Sequence, residues 1–174
     1  MTSEIQTNTA TKGHWPDVAR QWKQVGPPLR PSPQDIGFLH GALNAQGADT
    51  QLRALILGVT PELYQLLAPV AHDLIAMDHT QAMIECVWPG ARDSVILSDW
   101  RKMPLADASQ DVVVCDGGLH LLSFPDGQRE LVTALRRVVA QGGLCLLRLF
   151  IPPPEHESVE SVLQDLLDGT VPSL

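Results

Sequence analysis

Residues 52–78 read LRALILGVTPELYQLLAPVAHDLIAMD, and this stretch decides the fold. It holds two short apolar runs, LRALIL and DLIAM, which end at Gly58 and Asp78. Between them Thr60 suits an N-cap, and Pro61 suits the first helical position because its fixed φ fits a helix and that position needs no donor. The stretch therefore predicts a strand, a helix and a second strand.

The same alternation continues toward the C-terminus. The predicted strands are Leu52–Leu57, Asp73–Met77, Val95–Leu97, Asp111–Cys115 and Leu144–Phe150, and the predicted helices between them are Pro61–Leu67, Thr80–Val87 and Gly127–Ala140. Gly142 and Gly143 are expected to break the last of these helices. Strands that are apolar on both faces and separated by helices require a parallel sheet covered on each side. The predicted fold class is α/β.

Helical spacing and prolines organise the segments outside the sheet. Helices are predicted at His14–Trp22 and Pro33–Gly47, the second with Ser32 as its N-cap. The prolines of residues 26–33 predict an extended loop between them, because proline lacks a backbone donor. A short amphipathic helix is predicted within residues 155–174.

Charge and cysteine content narrow the function classes. Lys and Arg total 12 against 20 Asp and Glu, a net charge of -8 that repels phosphate backbones, so nucleic acid is not expected as a partner. Arg136, Arg137 and Arg148 are interpreted as scattered solvated charge.

The three cysteines, Cys86, Cys115 and Cys145, lack C-x-x-C spacing and are interpreted as packed thiols. No metal site is expected. The chain shows no leader and no apolar stretch near the roughly 20 residues of a membrane helix, so a cytoplasmic protein without membrane contact is expected.

Candidate ligand residues follow the predicted strands, since open parallel sheets bind ligands at the carboxyl ends of their strands. Gly58 would let a ligand approach the backbone, or would only make a tight turn. Asp78 lies 20 residues later and could accept both hydroxyl protons of a ribose, or could cap the helix at Thr80. Asp99 could accept from the adenine amine beside the ring of Trp100, or could be a solvated turn acid.

The run from about Trp15 to Pro153 resembles the class I S-adenosylmethionine-dependent methyltransferases. The segments that carry the resemblance are LILGVTPEL, DLIAMDHTQAMI, VILSDWRKMPLADASQDVVVCDGGLHLL and ELVTALRRVVAQGGLCLLRLF. The resemblance implies a Rossmann-like methyltransferase fold with a five-strand parallel core in the order 3-2-1-4-5. It also implies S-adenosylmethionine as cofactor and an N-terminal segment that covers it.

The resemblance implies functional residues and a division of the chain. The cofactor-binding residues it implies are Gly58, Thr60, Asp78, His79, Met83, Asp99, Trp100, Asp116 and Gly117. Asp116 would line the methyl-transfer site. His120, four residues further on, is the candidate general base, or else a packed or exposed loop histidine. The expected organisation is a disordered tail (1–12), an N-terminal helical cover (13–48), a cofactor-binding α/β core (49–154) and a C-terminal helix and tail (155–174).

Two departures from the family pattern bear on activity. Ile56 stands where the family has an acid, two residues before the first glycine, so a carboxylate for the cofactor's ammonium group is missing. The usual last two strands are also absent, which would leave the fifth strand as an apolar edge. We expect either a homodimer through that edge or a cover formed by the chain's own tail.

The function expected from the sequence is methyl transfer to a small-molecule acceptor. The acidic charge and the Asp116-Gly117-Gly118 ending of the fourth strand favour such an acceptor. A non-catalytic S-adenosylmethionine-binding or structural module is the main alternative. A nicotinamide dinucleotide enzyme is disfavoured, because the sequence from Gly58 to Pro61 lacks the glycines that admit a pyrophosphate.

Overall fold

The computed structural model describes residues 11–45, 47, 51–151 and 157–170. Its helices and strands, in chain order, are α1 (Thr11–Arg20), α2 (Pro33–Ala45), β1 (Leu52–Leu57), α3 (Pro61–Leu67), β2 (Ala71–Asp78), α4 (Gln81–Cys86), β3 (Val95–Leu97), β4 (Gln110–Asp116), α5 (Asp126–Val138), β5 (Val139–Arg148) and α6 (Val159–Leu167). Short 3₁₀ turns lie at Trp22–Gln24, Arg92–Ser94, Trp100–Lys102 and Gly118–Leu121. The tail predicted at residues 1–12 falls mostly outside the described residues.

One parallel sheet holds all five strands, in the order β3-β2-β1-β4-β5. This confirms the predicted fold class and strand order. β1 pairs with β2 on one side and β4 on the other, so the carboxyl ends of these three strands lie side by side at one edge of the sheet. The chain adds β2 and β3 on one side of β1 and then β4 and β5 on the other. Ligands bind in such folds where this order switches, which is between β1 and β4.

The sheet has an apolar core on each face because successive side chains of a strand point to opposite sides. On one face, Ala54 and Ile56 of β1 pack with the cover and with α3 and α4. On the other face, Leu55 and Leu57 pack with Trp100 and with the helix α5. The buried residues of α5 recur at helical spacing and are Leu131, Ala134, Leu135 and Val138.

The passage from α5 into β5 differs from the prediction. The helix ends at Val138 and the strand begins at Val139, so Gly142 and Gly143 do not break the helix. They lie instead in a bulge, since the partner in β5 jumps from Val139 to Leu144 while β4 advances by two residues. Gly142 has a φ of +78°. Glycine is favoured there because it adopts positive φ without steric cost.

Other boundaries shift by a few residues. α1 ends at Arg20, and the predicted end at Trp22 lies in a separate 3₁₀ turn. Ser32 caps α2 as predicted, because its Oγ accepts from the backbone N–H of Asp35 at 3.2 Å. Thr60 precedes α3 in an extended conformation, but its side chain makes no capping bond.

β5 is an edge strand, with β4 as its partner in the described sheet. Cys115 of β4 is buried and desolvation raises the pKa of its thiol to about 12, whereas Cys145 of β5 is exposed. The interpretation as packed thiols is therefore wrong for Cys145, because an edge strand is covered less completely than a central one. It is also wrong for Cys86, the last residue of α4, which is exposed. The helix α6 has no buried residue.

No helix in the described ranges is long and apolar enough to cross a membrane.

Candidate functional site

A cavity of about 330 Å³ lies at the carboxyl end of the sheet, at the small end of the usual range for ligand pockets. One wall comes from the N-terminal cover and the rest from the strand ends and the loops after them. The cover supplies His14, Trp15, Val18, Trp22, Val25 and Leu29, and the core supplies Leu57, Gly58, Val59, Thr60, Asp78, His79, Met83, Trp100, Asp116, Gly117, Gly118, Leu121 and Phe150. Eight of the nine predicted cofactor residues line this cavity; the ninth, Asp99, does not.

A second cavity, of about 310 Å³, lies at the opposite end of the sheet. Its charged residue, Asp111, is already bound by Arg53, which donates to it from the backbone at 2.9 Å and from the guanidinium at 2.6 Å. The first cavity is the better candidate because it collects the strand-end carboxylates.

The loop after β1 is fixed by one carbonyl group. The backbone oxygen of Met77 accepts from the N–H of Gly58 at 2.8 Å and from Nε1 of Trp100 at 2.7 Å. The Gly58 amide is therefore occupied. A Cβ at this position would lie at ordinary contact distance, 3.9 Å, from the Trp100 ring, so there is room for it, but the φ of +98° strains any residue other than glycine. Gly58 thus shapes the cavity wall by lacking a side chain.

Asp78 places a buried carboxylate at the end of β2. It is 7% exposed, and desolvation raises its pKa although hydrogen bonds from the following residues oppose the rise. Oδ1 accepts from the N–H of Thr80 at 2.8 Å, so the capping role is present. A carboxylate has about four acceptor sites, so this bond leaves capacity for a ligand. The ribose role of Asp78 stays a prediction.

Asp99 is held by the arginine that follows it. Its carboxylate accepts from the side chain of Arg101 at 2.6 Å and from its backbone N–H at 2.9 Å, and the side-chain bond lowers the pKa of Asp99 to about 2. The neighbouring Trp100 is buried and lines the cavity. Of the two residues predicted to contact adenine, Trp100 lines the cavity and Asp99 does not. A hydrogen bond from adenine to Asp99 stays a prediction.

Asp116 ends β4 as a buried carboxylate with a cationic partner. Arg148 of β5 donates to its Oδ1 at 2.5 Å. Desolvation raises the pKa of Asp116, and Arg148 opposes that rise. The side chain of Asp116 is 6% exposed and that of Arg148 is 13% exposed. The interpretation of Arg148 as solvated charge is therefore wrong.

A second ion pair joins the cover to the core. The guanidinium of Arg30 donates through Nε to Glu62 of α3 at 2.8 Å and lies 5.3 Å from the ring centre of Trp22. The Nε1 atom of Trp22, a residue that lines the cavity, is buried without a hydrogen-bond partner. Because Nε1 has almost no accessible surface, it is other atoms of Trp22 that line the cavity.

His120 does not line the cavity. Its Nε2 accepts the backbone N–H of Phe150 at 2.9 Å, and the two rings lie 5.5 Å apart. The ring nitrogen that would remove a proton is thus occupied in this conformation. The general-base role of His120 stays a prediction, and the alternative of a loop histidine with a structural bond agrees better with these contacts.

The sequence profile of the family described as "Methyltransferase domain" matches residues 57–147, which is more than half of the chain. The chain belongs to this family. The cofactor of these methyltransferases is S-adenosylmethionine, in agreement with the resemblance found in the sequence. The matched segment begins at the last residue of β1 and ends within β5.

Solved structures show the same fold. The YcgJ protein of Bacillus subtilis is 21% identical, with a TM-score of 0.56, 76% of this chain covered and 55% of that chain. The SAM-bound amino pentose methyltransferase CalS10 of Micromonospora echinaspora is 21% identical, with a TM-score of 0.60, and the match covers 72% of this chain and 53% of that one. A structure from Rhodobacter sphaeroides whose description names Zn-dependent alcohol dehydrogenases is 16% identical, with a TM-score of 0.64. The match covers 93% of this chain and 64% of that one.

This chain spans less than two thirds of the length of each of these three structures. At such identities the likeness shows the fold alone. The comparison with curated proteins finds no match.

The structure shows the position of Ile56, which stands where the family has an acid. Ile56 is fully buried in the core between the sheet and the cover, so β1 offers no carboxylate at that position. The remaining buried carboxylates at the cavity are Asp78 and Asp116.

Proposed function

We propose that the cavity binds S-adenosylmethionine and that this methyltransferase domain transfers its methyl group to a small-molecule acceptor. The observation that carries the proposal is the meeting of Gly58 and Asp78, from the ends of adjacent strands, at one cavity of ligand size.

The residues at the cavity fit the parts of that cofactor. The carboxylate of Asp78 suits hydroxyl donors such as those of a ribose, and the ring of Trp100 offers an aromatic surface beside it. When bound, S-adenosylmethionine supplies an electrophilic methyl group, and the protein's part is to orient an acceptor and exclude water.

The acceptor side of the cavity lies near Asp116. Leu29, Leu121 and Phe150 line the cavity and are also exposed, which gives its mouth an apolar rim. The net charge of -8 and this rim favour a small, uncharged or cationic acceptor with an apolar portion. Asp116 would orient a donor group of that acceptor.

A non-catalytic role is the second candidate. It is favoured by the absence of a carboxylate at Ile56, by the bond between Arg148 and Asp116, and by the bond that occupies His120. In that case the domain would bind the cofactor, or serve as a structural module, without turnover.

The test is calorimetric titration of the protein with S-adenosylmethionine and S-adenosylhomocysteine. Asp78→Asn keeps an acceptor for the N–H of Thr80 but removes the charge, so we expect affinity to fall by about tenfold or more, as for hydrogen bonds to charged groups. Asp73→Asn is the matched control, because Asp73 lies on the same strand and is exposed. It should bind like the unchanged protein.

Three results would count against the proposal in different ways. Absence of binding to the unchanged protein would reject the cofactor site. Equal loss in both variants would reject the role of Asp78. Tight binding without methyl transfer to any of a panel of phenols, amines and thiols would favour the non-catalytic candidate.

We propose that two copies associate through the open edge of β5. The support is an edge strand on which Leu147 is 37% exposed. Analytical ultracentrifugation that shows only a monomer at micromolar protein concentrations would reject the dimer.

The three unpaired cysteines support a reducing compartment such as the cytoplasm.

A further inference from the structure

Arg148 is the point at which the cover, the core and the cavity are joined. Its guanidinium donates to Oδ1 of Asp116 at 2.5 Å and to the backbone oxygen of Pro28 at 2.7 Å, and its Nε lies 3.3 Å from Oδ2 of Asp35. The ring of Phe150 lies 4.9 Å from its central carbon. These contacts use all three nitrogen atoms of the guanidinium.

The partners of Arg148 belong to different parts of the molecule. Asp116 is at the end of a central strand and lines the cavity, whereas Pro28 and Asp35 belong to the N-terminal cover. Asp35 also accepts from the N–H of Ser32, so it is fixed at the first turn of α2. A planar guanidinium can bond to such partners at once only when they stand in one arrangement.

Arg148 supplies the positive charge between carboxylates of the cover and of the core. Asp35 and Asp116 both contact the guanidinium of Arg148, so these two carboxylates lie close together. Burial raises the pKa of Asp116, and the negative charges of Asp35 and Glu62 add to that rise. Arg148 faces Asp35 and Asp116, and Arg30 faces Glu62. Without Arg148, docking the cover would bring Asp35 toward Asp116 with no cation between them.

We propose that Arg148 is a positioning residue that holds the carboxylate of Asp116 in place at the cavity while the cover is docked on the core. The contacts work in both directions, because the same side chain bonds to both parts. Opening of the cover removes the bonds to Pro28 and Asp35, and loss of the charge on Asp116 weakens the hold on the cover. The relevance to methyl transfer rests on the proposed function.

The experiment measures backbone hydrogen exchange in the ligand-free protein. The reporters are the amides of Val25 and Arg30 in the cover, which donate to Trp22 and Gly26 at 3.1 and 3.2 Å. The variants are Asp116→Asn, Arg148→Met, Arg148→Lys and the double variant Asp116→Asn with Arg148→Met. Arg137→Met is the matched control, because Arg137 also binds carbonyl groups and a carboxylate, but away from the cavity.

We expect Asp116→Asn to raise exchange of both reporters by about threefold and Arg148→Met by about tenfold, since local opening sets these rates. The double variant should match Arg148→Met, because contacts made through one residue are not additive. Arg148→Lys should exchange faster than the unchanged protein, since an ammonium cannot span the three partners. Arg137→Met should leave the reporters unchanged.

The proposal is overturned if Asp116→Asn leaves the reporters unchanged, if the two substitutions are additive, or if Arg148→Lys restores full protection. Amides of β1 in the same spectra show whether a variant remains folded. If Arg148→Met does not fold, Asp35→Asn and Asp116→Asn replace it, and additive effects of these two overturn the proposal. A separate titration with S-adenosylhomocysteine tests the cofactor, so its failure leaves the ligand-free result intact.

Discussion

The two halves of the same sheet edge are built in opposite ways. At the end of β1, a Cβ on Gly58 would lie at ordinary contact distance, 3.9 Å, from its nearest neighbour, so a methyl group has room there. At the end of β4, a Cβ on Gly117 would lie 2.8 Å from the ring of Phe150, so the corresponding space is filled. The end of β1 therefore has room for a side chain that the end of β4 lacks.

The buried carboxylates differ in the same direction. Asp78 accepts from a backbone N–H, and the ring of His79 lies 3.7 Å away, whereas Asp116 is bound by the guanidinium of Arg148. One carboxylate keeps acceptor capacity for a ligand, and the other is tied to the cover. The difference teaches that the part of the cavity proposed for the cofactor has a free acceptor, whereas the part proposed for the methyl acceptor depends on Arg148 of β5.

The largest expected effect is that of Gly58→Ala. A side chain at a φ of +98° is strained, so we expect a loss of about 1–3 kcal/mol in the free energy of unfolding, measured by urea denaturation. The added methyl group also enters the cavity, so affinity for S-adenosylhomocysteine should fall.

Gly142→Ala is the control for Gly58→Ala. Gly142 also has a positive φ, of +78°, and has no heavy atom within 4 Å of a Cβ, but it lies in the β5 bulge at the other end of the sheet. It should lose stability and keep its affinity. Loss of affinity in both variants would mean that strain, and not the room at the end of β1, controls binding.

A smaller effect is expected for Phe150→Ala. The side chain is 39% exposed and stacks on Arg148, so its removal should lower the free energy of unfolding by about 1 kcal/mol. Affinity for S-adenosylhomocysteine should stay within about threefold, because the ring lies in the part of the cavity proposed for the methyl acceptor.

The Gly117→Ala substitution sharpens this test. It should cost less stability in the Phe150→Ala background than in the unchanged protein, because the ring 2.8 Å from its Cβ is gone. Equal costs in both backgrounds would contradict the view that Phe150 fills the β4 end.

Local sequence patterns predicted the contacts at the ends of β1 and β2 better than those at the end of β4. Gly58 and Asp78 follow apolar runs, and the runs themselves predicted the sheet. Arg148 and Arg30 each bind a carboxylate 32 residues away, and no local spacing brings such partners together. The only signal for Arg148 was an arginine within LLRLF, at the end of a strand where a solvated charge is unusual.

The double glycine shows a second limit of the sequence. Gly142 and Gly143 were predicted to end a helix, because glycine is common there, but glycine is equally suited to a bulge. The choice depended on the register between β4 and β5, which involves residues far apart in the chain.

A still smaller effect concerns the end of the sheet opposite the cavity. The hydrogen bond from Arg53 lowers the pKa of Asp111 to about 2. Because the folded-state pKa lies below the ordinary value, the stabilisation is present above about pH 4 and is lost as the pH falls toward about 2. Asp111→Asn should therefore lower the free energy of unfolding at pH 7 by under about 1 kcal/mol, since the pair is a third exposed.

Urea denaturation of Asp111→Asn and of the unchanged protein between pH 7 and pH 2 measures this difference. The two curves should converge at the acid end, and affinity for S-adenosylhomocysteine at pH 7 should be equal. A change in affinity would show that the two ends of the sheet are coupled.

The smallest effect is expected for His120→Gln. The side-chain oxygen of glutamine can accept the N–H of Phe150 that Nε2 of His120 now accepts, so the free energy of unfolding should change by no more than about 0.5 kcal/mol. His120→Ala, which leaves that N–H without its acceptor, should cost about 1 kcal/mol in the same denaturation experiment. If the bond of His120 is structural, the free energy of unfolding of His120→Gln should be close to that of the unchanged protein, and that of His120→Ala should be lower than both. If His120 instead acts as the base, both variants would lose methyl transfer by the same factor, since neither side chain can take up a proton at neutral pH, and the part of the cavity proposed for the methyl acceptor would then need a different conformation of the loop after β4.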